Sequence, residues 1–116
     1  MSVLDTILIK DLIDAPVAVT TEYVSEVIYI GNRQDEFAVQ VGYQNGVAVD
    51  ATISVEVSND GVSFGTIDSK LKTDDGDSGH IFDFNGTGTV YLRVRVAMNA
   101  GSLELTEIAY RAKRMH

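Results

Sequence analysis

Val90-Tyr91-Leu92-Arg93-Val94-Arg95-Val96 places an aliphatic side chain at every second position, with a tyrosine and two arginines between. Successive side chains of an extended strand point to opposite faces, so this stretch has one continuous apolar face and one polar face. A helical period would scatter the same residues around an axis. The stretch therefore reads as a β-strand lying on a core.

Two more rows repeat the pattern. Phe37, Val39, Val41 and Tyr43 alternate with Ala38, Gln40 and Gly42, and Ile53, Val55 and Val57 alternate with Thr52, Ser54, Glu56 and Ser58. Branched and aromatic side chains suit a pleated, half-buried surface. Tyr23 to Ile30 reads as a further strand and His80 to Phe84 as a short one. Between the rows stand Gln44-Asn45-Gly46, Asn59-Asp60-Gly61, Asn85-Gly86-Thr87-Gly88 and Asn99-Ala100-Gly101. Each offers residues that tolerate the positive φ of a tight reversal, so each is expected to be a turn. The last strand, from Ser102 to about Ala112, has a parity conflict: Leu103 and Leu105 face one way, Ile108 and Tyr110 the other. One extra residue restores the pattern, which predicts a bulge near Thr106 or Glu107. The expected fold is all-β: a single antiparallel β-sandwich of about six to eight strands with an N-terminal arm.

The expected organisation is an arm or edge strand over 1–20, a sandwich over 21–112 and a basic tail over 113–116. In the arm, Leu4, Ile7, Leu8 and Leu12 fall at helical spacing, yet Ile7, Ile9 and Ile13 fall at strand spacing. Periodicity does not decide between them. Such an apolar arm either adds an edge strand to its own sheet or covers a neighbouring subunit.

With 116 residues the chain holds one domain, and 45% hydrophobic with 22% charged residues describes a globular protein rather than a disordered one. Seventeen acidic residues against nine basic ones leave a net charge of −8. A surface of that sign opposes binding to nucleic acid and to anionic membranes, so neither partner is expected. Arg111, Lys113 and Arg114 concentrate positive charge at the C-terminal end, either as a solvated end or as a dock for an acidic neighbour. Cysteine is absent, which removes disulfides and thiolate chemistry. No apolar run approaches the ~18 residues of a membrane helix. The N-terminus lacks the basic and apolar regions of a signal peptide, so synthesis and folding in the cytoplasm are expected.

Chemistry-bearing groups are few. Asp74, Asp75 and Asp77, beside Gly76 and Gly79, resemble part of a calcium loop. The glutamate an EF-hand needs at its twelfth position is missing, and a solvated acidic loop is the competing reading. His80 and His116 are the only histidines, which leaves no hydrolytic triad and too few ligands for zinc. No phosphate-cradling or dinucleotide loop occurs. A non-enzyme without cofactor is expected. Tyr91, Arg93 and Arg95 form a polar-aromatic stripe that either meets a partner or pairs with Glu104, Glu107 or Asp83 on adjacent strands. Phe64 is expected to plug the core.

The stretch Ile53-Ser-Val-Glu-Val-Ser-Asn-Asp-Gly-Val-Ser-Phe64, with Gly88-Thr-Val-Tyr-Leu-Arg-Val-Arg-Val96 and a last strand ending in basic residues, resembles small phage-encoded β-sandwich virion proteins. It is similar too to discoidin-like (galactose-binding-like) sandwiches. The resemblance covers roughly residues 22 to 112, and this chain has Phe64 where tryptophan is common. It implies a virion location and a structural role, as a head decoration (cement) protein that bridges and stabilises capsid subunits. The implied partners are the major capsid protein or other virion subunits, and further copies of the chain as a homo-oligomer. The expected contact residues are Leu4, Ile7, Leu8, Leu12, Tyr91, Arg93, Arg95, Arg111, Lys113 and Arg114. A tail or fibre accessory module that binds a carbohydrate or host receptor is the alternative.

Overall fold

The period-two rows do form strands, but two of those strands are far longer than their turn-like residues suggest. The computed structural model describes residues 6–13, 16–29, 36–85 and 90–114. They form β1 (Thr6–Asp11), β2 (Val17–Val19), β3 (Glu22–Val24), β4 (Ile28–Tyr29), β5 (Glu36–Ser58), β6 (Gly65–Lys72), β7 (Ser78–Asn85) and β8 (Tyr91–Arg114). β5 and β8 are 23 and 24 residues long and pair antiparallel throughout, from Glu36 opposite Lys113 to Ser58 opposite Tyr91. On the far side of β8 lie β1, β2, β3 and β4 in succession; on the far side of β5 lie β6 and β7. All pairings are antiparallel.

The result is a ribbon four strands wide, folded across its middle. One layer joins β1 and β2, the C-terminal half of β8, the N-terminal half of β5, and β7. The other joins β3 and β4, the N-terminal half of β8, the C-terminal half of β5, and β6. Val39, Val41, Phe82, Leu105 and Ile108 of the first layer share one buried cluster with Ile53, Val55, Leu92, Val94 and Val96 of the second. The protein is an antiparallel β-sandwich, and all three rows read from the sequence supply its core. Burying each Val, Leu or Ile contributes about 1.5–3 kcal/mol.

Bulges make the fold line. The register between β5 and β8 shifts between Gly42 and Tyr43, between Gln44 and Val47, between Val47 and Asp50, and between Asp50 and Ala51. Gly42 faces Glu107 and Tyr43 faces Leu105, so Thr106 is the extra residue that the parity conflict demands. β5 carries the extra residues of the two middle shifts, and β8 carries the other two, Asn99 and Thr106. The insertions cancel, and the inward rows on both strands resume in register beyond the bend.

Gln44-Asn45-Gly46 and Asn99-Ala100-Gly101 are therefore not hairpins. They lie inside continuous strands and bend them. Asn45, Ala48 and Gly101 have φ of 53°, 51° and 75°, the same backbone requirement as a tight turn used here for a bulge. A Cβ on Gly101 would collide with the carbonyl oxygens of Val47 and Ala48. Asn59-Asp60-Gly61 is a true reversal, with Gly61 at φ 77°. Residues 86–88 of the expected Asn85–Gly88 turn lie outside the described residues.

Tyr23 to Ile30 is not one strand either. Ser25 leaves the ladder between β3 and β4, its backbone N–H donating to the Val94 carbonyl at 2.8 Å. Its buried hydroxyl accepts from the Val94 N–H, also at 2.8 Å, so β8 stays satisfied where the strand beside it breaks. The arm residues 6–11 add an edge strand to their own sheet, Thr6 facing Arg114 and Asp11 facing Ala109. β8 correspondingly runs through Lys113 to Arg114.

Gly101→Ala should lower stability by about 2–4 kcal/mol, since strain at positive φ and the carbonyl clash act together. Gly65→Ala, where an added methyl meets nothing within 4 Å, should change it by no more than about 0.5 kcal/mol. Urea unfolding of both variants checks the contrast.

Candidate interaction surfaces

Because β8 runs through both layers, alternate residues of its N-terminal half, Tyr91, Arg93 and Arg95, stand on the outer face of the second layer. Glu56 lies directly opposite Arg93 on β5, and the Arg93 Nε donates to its Oε1 at 2.7 Å. The Arg93 guanidinium also covers the Phe64 ring at 4.1 Å. Phe64 is thus a half-buried lid on an arginine and not a core plug. On the other side of β8, Arg95 donates to Glu22 of β3. Tyr91 meets Tyr29 of β4 edge-on, with ring centroids 5.6 Å apart. Both arginines are neutralised within their own sheet, by Glu56 and Glu22 and not by the acidic residues the sequence offered. Glu107 instead accepts from Gln40, and Glu104 from Gln44 and Asn45. The residue row that contains Glu56 was visible in sequence; its register against Arg93 was not.

The outer face of the first layer carries Arg111, exposed beside a groove of about 420 Å³ that Ala38, Gln40, Ile81, Asp83, Ala109 and Tyr110 also line. Lys113 and Arg114 continue β8, facing Ile7 and Thr6 of β1, while Leu8 faces Ala112. Leu4 lies outside the described residues, as do the side chains of Ile7, Leu8, Lys113 and Arg114. Leu12, expected at a partner interface, belongs to the protein's own core: it is 8% exposed, and its N–H donates to the Ile108 carbonyl at 2.7 Å.

The calcium candidates are engaged in bracing the fold line. Asp75 Oδ1 accepts from the Val49 N–H at 2.9 Å and Asp77 Oδ1 from the Asn45 N–H at 3.1 Å. Asp74 Oδ1 takes the Lys72 ammonium at 2.9 Å and the Gly76 N–H at 2.9 Å. Lys72 points inward from β6, is buried, donates to the Gly76 carbonyl and lies over the Tyr43 ring at 4.3 Å. The three carboxylates thus reach different backbone segments instead of converging. Among the described residues no group of three or more His, Asp and Glu side chains is placed to hold a metal ion.

The displaced titrations all move away from neutrality. The Lys72 hydrogen bond, then the Gly76 N–H, lowers Asp74; hydrogen bonds from Gln44 and Asn45 lower Glu104. Burial, then Glu26, raises Tyr23. Asp60 is lowered to about 2, chiefly by the backbone N–H groups of Ser63 and Val62 and then by the Ser58 hydroxyl, which lock the turn into β6. These carboxylates are fixed as anions, which suits structural acceptors and not proton-transfer catalysts.

No protein-family model matches the chain, and no curated protein sequence matches it. Solved structures do. The K1 cleaved adhesin domain of Lys-gingipain from Porphyromonas gingivalis W83 superposes with a TM-score of 0.56 at 14% identity, over 79% of this chain and 64% of that one. VP2 of the infectious bursal disease virus subviral particle gives 0.57 at 12% identity, over 96% of this chain and 33% of VP2. A chain from the Bacillus endospore appendages, which form disulfide-linked pili, gives 0.54 at 16% identity, over 97% and 90%. Carbohydrate-binding modules share the fold as well. At these identities the likeness is one of fold. The chain spans about a third of VP2 and just under two thirds of the adhesin domain.

Asp60 gives a pH test. Its pKa is lower folded than its ordinary 3.8, so its stabilisation is complete above that value and is lost as pH falls towards about 2. Asp60→Asn should be less stable than the wild type at neutral pH and lose less between pH 3.8 and about 2. Thermal midpoints of both proteins across that window check it.

Proposed function

We propose that the protein is a structural subunit of a viral particle, and within that class a phage capsid decoration or cement protein that bridges major capsid subunits. The observation that carries this reading is the shared fold. A single sandwich makes up nearly the whole of this chain, and the same sandwich makes up nearly the whole of a chain from an assembled appendage. The fold shared with VP2 supports the viral setting. The described polar groups brace the fold, so binding by surface shape and repeated modest contacts suits the chain better than catalysis. Having no cysteine, it would have to assemble without the disulfide links of those pili. Arg111, with Lys113 and Arg114 of the same strand and Ile7 and Leu8 of the adjoining β1, is the proposed contact with an acidic capsid surface.

A second reading, a tail or fibre module that binds a carbohydrate, has one observation in its favour. Tyr29 is 71% exposed and meets Tyr91, two residues along β8 from the Arg93 that pairs with Glu56, and exposed tyrosines suit sugar rings.

A tagged copy should band with particles in a density gradient, and immunogold should label heads. Label on tails would favour the second reading, and absence from particles would overturn the first. Arg111→Glu should weaken particle binding about tenfold or more with the thermal midpoint unchanged. Deleting residues 1 to 15 is a poorer probe, because it removes β1 and Leu12 from the fold.

A further inference from the structure

Among the described residues, the two strands on one side of the ribbon, β6 and β7, are edges of very different character. Edge strands offer unpaired N–H and C=O groups to any extended chain, and proteins protect them with lysines, inward charges and bulges. β6 has all three: Lys70, the inward Lys72, and a register shift that leaves Ile67 between Asp68 opposite Val55 and Thr66 opposite Glu56. β7, Ser78-Gly-His-Ile-Phe-Asp-Phe-Asn85, has none of them. It holds register with β5 over eight residues without a break, carries no lysine, arginine or proline, and presents Ile81 at 53% exposure on the outer face.

We propose that β7 is a self-association edge: two copies pair β7 to β7, antiparallel, about a two-fold axis through Ile81, so that one sheet runs across both subunits. The residues of β7 select this partner and this register. Centred on Ile81, the pairing sets Ile81 against its own copy and buries the exposed side chain that β7 leaves outward. It sets Asp83 against the partner's Gly79, which holds the two carboxylates apart and gives each an open neighbour. Centring on Phe82 instead would set Ile81 against a carboxylate. Charge points to the same strand. The chain carries −8, so like bodies repel, and β7 brings a single carboxylate in eight residues to the contact. An isologous two-fold contact is also the commonest way for identical subunits to close.

This inference goes beyond the virion reading and holds whichever particle the protein joins. Sedimentation equilibrium of the wild-type protein should give twice the chain mass, and Ile81→Lys should give the chain mass with an unchanged circular dichroism spectrum. Leu71→Lys, at the exposed outer position of β6, should remain a dimer. Facing Cα atoms of an antiparallel pair lie about 4.5–5.5 Å apart, within disulfide reach, and the chain has no other cysteine. Ile81→Cys should therefore oxidise almost completely to a covalent dimer, and Leu71→Cys should not. A wild-type protein that stays monomeric at high concentration, or an Ile81→Cys variant that crosslinks no better than Leu71→Cys, would overturn the proposal. A monomer that still bands with particles would do so while leaving the virion reading intact.

Discussion

Everything in this sandwich depends on two long strands bending together without losing each other. The bend is made where Gly101 of β8 passes against the carbonyls of Val47 and Ala48 of β5, a passage with no room for a side chain. A sheet four strands wide could close over a core by ending every strand and starting again. This chain instead carries its two central strands through the corner and corrects the count on each with bulges. Because the insertions balance, Val39 and Val41 on one side of the corner and Ile53 and Val55 on the other all face inward.

The acidic loop belongs to the same corner. Residues 73–77 connect β6 in one layer to β7 in the other, and their carboxylates hold the Asn45 and Val49 N–H groups that the bulges displace from regular pairing. Lys72 anchors the start of that loop from inside. Asp74, Asp75 and Asp77, grouped in the sequence, accept hydrogen bonds from different donors in the fold.

The three apolar rows and the bulge at Thr106 were legible because each is a matter of parity within one strand. The corner was not. Asn45, Gly46 and Gly101 satisfy the backbone of a hairpin and the backbone of a bulge equally, and only the partner strand, about sixty residues away, decides which forms. The stripe of Tyr91, Arg93 and Arg95 shows the same division. Its common face was plain from alternation, whereas Glu56 and Glu22 as partners required the register of β8 against β5 and β3. Leu12 belonged to a run compatible with either period, and its burial came from β8 offering the Ile108 carbonyl.

The continuous central strands also bear on kinetics. Glu36 pairs with Lys113 and Thr6 with Arg114, so the first and last segments of the chain must find each other before the sheet is complete. Topologies dominated by such distant pairings fold slowly. Since every layer contains half of β5 and half of β8, neither layer can detach while the other persists, and loss of structure is concerted. That topology trades rapid folding for an all-or-none resistance to partial unfolding.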